Sequence, residues 1–262
     1  MFLGDVMNRF KKLSLLAGGF LLAGAAFFAA YAINQQNILN NYKSMPLNLP
    51  DGFTYTAHTG CMGAADNSLE SIEQGVRNGA DIVEFDLNFN EAKEPVLSHD
   101  LPTGNEVTLD EAFEKVSQYP DLKVNVDLKS TAALEKIYPS AQKYGIAQQI
   151  FFTGVNDEFL QQVRSNTHNI PYYLNVDVKP PRKHTKEYLS SLVEKVKNSG
   201  AIGINFNKDN ASKELVDVFH QNNLLVSIWT VDEEKDVYKI LSFSPDNITT
   251  RNPDMLEKIL GE

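Results

Sequence analysis

The segment Gly79-Ala80-Asp81-Ile82-Val83-Glu84-Phe85-Asp86-Leu87-Asn88-Phe89 has the composition of a strand covered on both faces. Ile82, Val83, Phe85 and Leu87 form a nearly continuous apolar run, as strands of parallel sheets do. Glu84 and Asp86 interrupt that run two residues apart, and a strand turns such a pair to one face. Acids buried side by side need a compensating partner, because an unpaired buried charge is strongly disfavoured.

Outward from this strand, the same grammar repeats. Strand candidates are Phe53–His58, Asp81–Phe89, Leu122–Leu128, Gln149–Val155, Pro171–Val178, Ala201–Phe206, Leu224–Val231 and Asn247–Thr250. Amphipathic helical stretches alternate with them at Ser68–Asn78, Leu109–Tyr119, Thr131–Tyr144, Asp157–Asn166, Thr185–Asn198, Ser212–Asn222 and Glu233–Leu241. Pro253–Leu260 closes the series, with Asn252 as its expected N-cap and Pro253 at the first helical position. Eight strand–helix repeats predict an α/β fold with a parallel sheet closed into a (β/α)8 TIM barrel. The alternative is an open doubly wound sheet, which would want a Gly-rich phosphate loop; no G-x-G-x-x-G occurs. Pro95–His99 is too close to the second strand for a helical crossover, so a small hairpin insertion after strand 2 is expected there.

The N-terminal part reads differently. Arg9, Lys11 and Lys12 precede the uncharged apolar run Leu13–Ile33. About 20 such residues cross a bilayer, and the basic flank stays in the cytoplasm. The expected organisation is a cytoplasmic basic tail (1–12), a transmembrane helix (13–33), a polar stalk (34–50) and the barrel (51–262). That makes a single-pass cell-membrane protein with its barrel outside the cytoplasm. The competing reading is a signal peptide cleaved near Ala30-Tyr31-Ala32, which would release a secreted barrel.

Composition narrows the partners. Of 262 residues, 42% are hydrophobic and 22% charged, enough apolar material for a real core. Net charge is -10, and before Met45 only Asp5 is acidic against Arg9, Lys11, Lys12 and Lys43, so the negative excess belongs to the body. A field of that sign argues against a nucleic-acid partner. The single cysteine, Cys61, excludes an intrachain disulfide framework and an all-cysteine zinc site.

In a barrel, chemistry gathers at the C-terminal ends of the strands. His58 ends the first candidate strand, Asp127 and Lys129 lie two apart at the end of the third, and His99 lies in the second-strand connection. With Glu84 and Asp86 these bring three carboxylates, a lysine and two histidines toward one mouth. Oxygen-only ligands suit one divalent metal ion, Ca²⁺ or Mg²⁺. Two histidines on either side of a phosphorus would serve as general base and acid, with Lys129 balancing charge. Taken singly, each feature has a plainer reading: a solvated carboxylate pair, or a structural histidine. Trp229 reads equally as core packing or as an aromatic wall at the mouth. His168, His184 and His220 are expected on the surface, and Cys61 lacks a partner motif for a nucleophile.

Seven blocks, in order, resemble the glycerophosphodiester phosphodiesterase family. Ala57-His58-Thr59-Gly60 with Ala65-Asp66-Asn67-Ser68-Leu69 resembles A-H-R-G followed by P-E-N-T-L. Gly79–Leu87 resembles G-A-D-x-x-E-x-D-V, and Pro95-Val96-Leu97-Ser98-His99-Asp100 resembles V-x-x-H-D. Thr108-Leu109-Asp110-Glu111 resembles T-L-x-E, and Asp127-Leu128-Lys129 lies where the family has E-x-K. Trp229-Thr230-Val231-Asp232 resembles W-T-V-N, and Thr249-Thr250-Arg251-Asn252-Pro253 resembles T-D-x-P. The resemblance implies a (β/α)8 barrel that hydrolyses glycerophosphodiesters, or related phospholipid head groups, to an alcohol and glycerol 3-phosphate. It implies catalytic His58 and His99, the metal ligands Glu84, Asp86 and Asp127, and Lys129, Trp229, Asn67 and Asp66 on the substrate side. The implied partner is a small-molecule or lipid phosphodiester substrate; a membrane partner is expected from the N-terminal helix alone.

There are departures. Thr59 replaces the arginine that grips the phosphate, a loss of about 1.5–3 kcal/mol unless something substitutes. Ala65 and Asp66 replace Pro and Glu, and Asp127 replaces the Glu of E-x-K. The missing arginine and D-x-K are also similar to the sphingomyelinase D branch, which often releases a cyclic phosphate. They leave a second hypothesis from another class: a catalytically degenerate barrel that binds a phosphorylated ligand, or a wall or membrane partner, without turnover.

Overall fold

In the computed structural model, which describes residues 27–261, the expected strand–helix alternation closes on itself. The strands are β1 (Thr54–Ala57), β2 (Ile82–Phe89), β3 (Pro95–Leu97), β4 (Lys123–Leu128), β5 (Ile150–Val155), β6 (Tyr172–Asn175), β7 (Gly203–Asn207), β8 (Leu225–Trp229) and β9 (Asn247–Thr250). The barrel helices are α1 (Leu69–Arg77), α2 (Leu109–Val116), α3 (Ile137–Lys143), α4 (Leu160–Asn166), α5 (Lys186–Ser199), α6 (Lys213–His220), α7 (Glu234–Leu241) and α8 (Pro253–Leu260). All strands but β3 run parallel, in the order β1-β2-β4-β5-β6-β7-β8-β9, and β9 pairs with β1 to close the ring. The short strand β3 runs antiparallel to β2 and forms the expected hairpin.

Alternation along each strand sorts the side chains. Val83, Phe85 and Leu87 of β2, and Val124, Val126 and Leu128 of β4, are buried at positions alternating with Glu84, Asp86, Asn125 and Asp127. The apolar set packs beneath the helices with Phe113 of α2 and Phe219 of α6, both fully buried. Each such phenylalanine contributes about 1.5–3 kcal/mol. Helix starts follow local chemistry: Ser68, Thr185 and Ser212 accept from backbone N–H groups of α1, α5 and α6, and Thr108 with Glu111 forms a capping box on α2.

Two helix starts and one helix cap differ from the sequence expectation. The stretch Thr131–Tyr144 splits into a 3₁₀ turn, Leu134–Lys136, and α3. Pro139 is the reason: without an N–H it fits the first turn of a helix, not the middle. Helix α4 begins at Leu160, because the Asn156 side chain accepts from the N–H groups of Glu158 and Phe159 and holds a turn. Asn252 precedes α8 as expected, but its side chain donates to the Asp232 carbonyl rather than capping the helix.

The chain divides into two units, Met1–Pro46 and Leu47–Glu262. In the first, residues 27–43 are helical. The expected basic tail (1–12) and most of the expected span (13–33) lie outside the described residues. Among the described residues, no helix is long and apolar enough to cross a membrane.

Candidate active site

The barrel register builds the site. Parallel pairing sets Asp86 beside Asp127 and Glu84 beside Asn125, so the acids of β2 and β4 face one interior. Ala57 pairs with both Val83 and Thr250, which brings His58, one residue past β1, to the same mouth. These residues line a cavity of about 530 Å³ together with His99, Lys129, Trp229 and Arg251. That volume suits a small ligand.

Glu84, Asp86 and Asp127 each offer an oxygen, and these lie within 4.8 Å of one another. Glu84 and Asp86 are both only 4% exposed. Their partners are unequal. Asp86 takes a hydrogen bond from the Asn67 side chain (2.9 Å) and an ion pair from Lys129 (3.0 Å). Asp127 accepts from Lys129 (2.7 Å) and Thr153 (3.1 Å). The Oε2 of Glu84 accepts from the Thr59 backbone N–H, but its Oε1 is buried with no hydrogen-bond partner. Burial, then Asp86 and Asp127, raise the Glu84 pKa well above its ordinary value. A buried carboxylate oxygen without a donor, beside two further carboxylates, fits a hard divalent cation.

Lys129 stays charged. Burial pulls its pKa down, but Asp127 and Asp86 outweigh burial and raise it. Gly154, at φ +72°, lets β5 pass against this corner: a Cβ there would meet Asp127 Oδ1 and the Leu128 backbone. The register of β5 on β6 shifts at the same point.

The histidines differ in setting. His58 Nδ1 lies 2.8 Å from the Thr59 carbonyl, which can only accept, so Nδ1 carries the hydrogen and Nε2 is left as an acceptor. Burial lowers the His58 pKa against the opposing Thr59 carbonyl, and Arg251 lowers it further. His99 sits past β3 with a 67% exposed side chain, its Nδ1 3.0 Å from Asp100 Oδ1. Ser98 N–H donates to the Asp86 carbonyl (3.1 Å) and the Asn88 side chain donates to the Asp100 carbonyl (2.9 Å), tying the hairpin loop to β2.

A sequence profile for the glycerophosphoryl diester phosphodiesterase family matches residues 52–126 and 103–255. The chain belongs to that family. By this membership it is a glycerophosphodiester phosphodiesterase, a phosphoric diester hydrolase. Comparison with curated proteins gave no match. Among solved structures, it is similar to a candidate glycerophosphodiester phosphodiesterase from Galdieria sulphuraria (TM-score 0.66, 19% identity, covering 80% of this chain and 98% of that one). An Oleispira antarctica phosphodiesterase in complex with the product sn-glycerol-3-phosphate is alike at TM-score 0.66 and 19% identity, covering 82% and 98%. Glycerophosphodiester phosphodiesterase from Agrobacterium tumefaciens follows at TM-score 0.63 and 16% identity, covering 79% and 99%. At these identities the likeness shows the barrel fold.

Within this family member, most of the expected site residues meet: His58, His99, Glu84, Asp86, Asp127, Lys129 and Trp229 line one cavity. Trp229 forms a wall, shared with an adjoining cavity of about 620 Å³ that Asn175, Asn205 and Asn207 also line. Two expected substrate-side residues are placed elsewhere. Asn67 lies behind Asp86, donating to its carboxylate and accepting from its N–H (2.9 Å each). A side chain that spends both amide atoms on one residue positions that residue. Asp66 is exposed and packs over Gly60, outside the cavity lining. His184 bonds Ser212 and the Lys179 carbonyl, His220 pairs with Asp246, and His168 is exposed and stacks on Tyr138; none of the three lines the cavity. The Cys61 thiol is buried against the Ser71 carbonyl, and burial pushes its pKa up. Arg251 was missed, although a residue just past a barrel strand was the signal used for His58 and Lys129.

Proposed function

We propose that this protein hydrolyses glycerophosphodiesters, or phospholipid head groups of the same kind, to an alcohol and glycerol 3-phosphate outside the cytoplasm. In this reading His58 is the general base, His99 the general acid, and Glu84, Asp86 and Asp127 hold one Ca²⁺ or Mg²⁺. The observation that carries it is the meeting of two histidines, three carboxylates and a lysine in one cavity, with Glu84 Oε1 left without a donor. Bound there, the ion supplies Lewis-acid polarisation of a phosphoryl oxygen.

The chain's own groups account for the protons. His58 Nε2 takes the proton of the attacking hydroxyl as its oxygen bonds to phosphorus. Its Nδ1–H stays on the Thr59 carbonyl, which fixes the ring and its tautomer. The alcohol oxygen leaves with the phosphorus–oxygen bonding pair and takes a proton from His99. Asp100 Oδ1, 3.0 Å from His99 Nδ1, orients the ring for that transfer. Lys129, held by Asp86 and Asp127, keeps a positive charge beside the reacting phosphate. The attacking hydroxyl belongs to water, giving glycerol 3-phosphate directly, or to the substrate's own glycerol, giving a cyclic phosphate that a second step opens by adding water.

Support for the location is the basic flank Arg9, Lys11 and Lys12 ahead of the apolar run Leu13–Ile33. Protease added to intact cells would then remove the barrel.

Leaving-group chemistry tests the roles. His99→Ala should slow glycerophosphocholine cleavage by about 10²-fold or more, but a p-nitrophenyl phosphodiester much less, since p-nitrophenolate leaves without a proton. His58→Ala should slow both. Equal losses on the two substrates for His99→Ala would refute its part as acid. A chain that binds phosphate esters yet turns over neither substrate would instead be the binding barrel.

A further inference from the structure

We infer that Arg251 grips the substrate's phosphate from the end of β9, a part that the resemblance alone would give to an arginine at the position of Thr59. The inference rests on the reading above of the cavity as a phosphodiester site. Position 59 itself has been turned to another use. Thr59 is 2% exposed, its N–H bonds Glu84 and its hydroxyl accepts from the Asn67 N–H. It belongs to the scaffold behind the carboxylates.

Charge makes the case for a second cation. Lys129 is already shared by Asp86 and Asp127. With a divalent ion its charge balances the three carboxylates, so the phosphodiester brings one further negative charge that this set does not offset. Among the described residues lining the cavity, Lys129 and Arg251 are the two with a permanent positive charge.

Geometry brings Arg251 to the right place. It follows Thr250, whose carbonyl accepts from the His58 N–H at 2.8 Å, so the arginine stands next to the proposed base. Its backbone is clamped: Arg251 N–H donates to Asp232 Oδ1 at 2.7 Å, and its carbonyl accepts from Met62 N–H at 2.9 Å. The guanidinium is held more loosely, with Nη1 3.5 Å from Asp232 Oδ2 and the side chain 43% exposed. A guanidinium has five donors in a planar fork, so one long contact leaves donors for two phosphate oxygens. The family's W-T-V-N ends here on Asp232, the carboxylate that holds the arginine. The plainer alternative is that Arg251 and Asp232 form a surface ion pair and nothing more.

The test uses the full chain and calorimetric binding of sn-glycerol 3-phosphate and inorganic phosphate, with Mg²⁺ and in chelator. Arg251→Gln should weaken phosphate-ester binding by about 10- to 100-fold in both conditions, with the melting temperature and Mg²⁺ affinity kept. Arg251→Lys should recover part of the affinity, because a lysine supplies the charge without the fork. Affinity within about twofold of wild type in Arg251→Gln would overturn the inference, as would a wild type that binds neither anion. Should Arg251→Gln fail to fold, Arg251→Lys carries the test, and wild-type affinity there overturns it. Turnover by the wild type separates the two claims. Turnover with unchanged Arg251→Gln binding removes Arg251 alone. Arginine-dependent binding without turnover keeps Arg251 and removes the catalytic reading.

Discussion

Replacing Glu84 by glutamine should raise the melting temperature of the metal-free protein while abolishing its response to divalent ions. The buried Glu84 Oε1 lacks a donor and faces the field of Asp86 and Asp127. Glutamine keeps an oxygen to accept from the Thr59 N–H and sets an amide N–H₂ toward the two aspartates. Relieving one unsatisfied buried polar group is worth about 1–3 kcal/mol, more when it is charged. For a domain of this size each kcal/mol moves the melting temperature by roughly 2–4 °C. The pH dependence has a definite sign. A carboxyl whose folded pKa is raised destabilises the fold once it is ionised. The advantage of Glu84→Gln is therefore absent below the ordinary pKa near 4.5 and grows as pH rises toward the raised one. Added ion reverses the order. At a hundred times its dissociation constant it stabilises wild type by about 2.7 kcal/mol and leaves Glu84→Gln nearly unmoved. Scanning fluorimetry in chelator and in Mg²⁺ or Ca²⁺, from pH 4 to 8, reads all of this. A Glu84→Gln protein that melts below wild type in chelator, or that gains as much from the ion, refutes the reasoning.

Two further substitutions probe the supports of the site. Asn67→Ala removes both side-chain hydrogen bonds to Asp86 and should weaken divalent-ion affinity by about 10- to 100-fold, measured by calorimetry, while the barrel stays folded. Unchanged affinity would mean that Asp86 needs no positioning. His58→Gln should lower kcat by about 10²- to 10⁴-fold with ion affinity kept, because the ring accepts a proton and does not contribute to the carboxylate trio.

The fold was legible because each barrel unit repeats one pattern. Apolar β runs such as Ile82–Leu87 alternate with capped amphipathic helices, and every strand candidate formed a strand. Helix starts were harder, since they depend on single side-chain choices such as Pro139 and Asn156. At the site, spacing placed Glu84, Asp86, Asp127 and Lys129 well, because strand alternation is a local rule. Asn67 could not be placed, because whether an amide faces a ligand or backs a carboxylate depends on a contact between residues nineteen apart in sequence. Arg251 escaped for a related reason. Compared against the motifs, Thr59 reads as a loss, and only the β9–β1 pairing shows another arginine at the same mouth.

The account stands most directly on phosphorus NMR of the full chain with glycerophosphocholine, glycerophosphoglycerol, lysophosphatidylcholine and sphingomyelin, followed in Ca²⁺, in Mg²⁺ and in chelator. Loss of a glycerophosphodiester signal with growth of a glycerol 3-phosphate or cyclic phosphate signal, only when the ion is present, is the predicted result. Turnover undiminished by chelator would contradict the carboxylate-held ion, and no turnover of any of the four with either ion would contradict the hydrolase reading of this cavity.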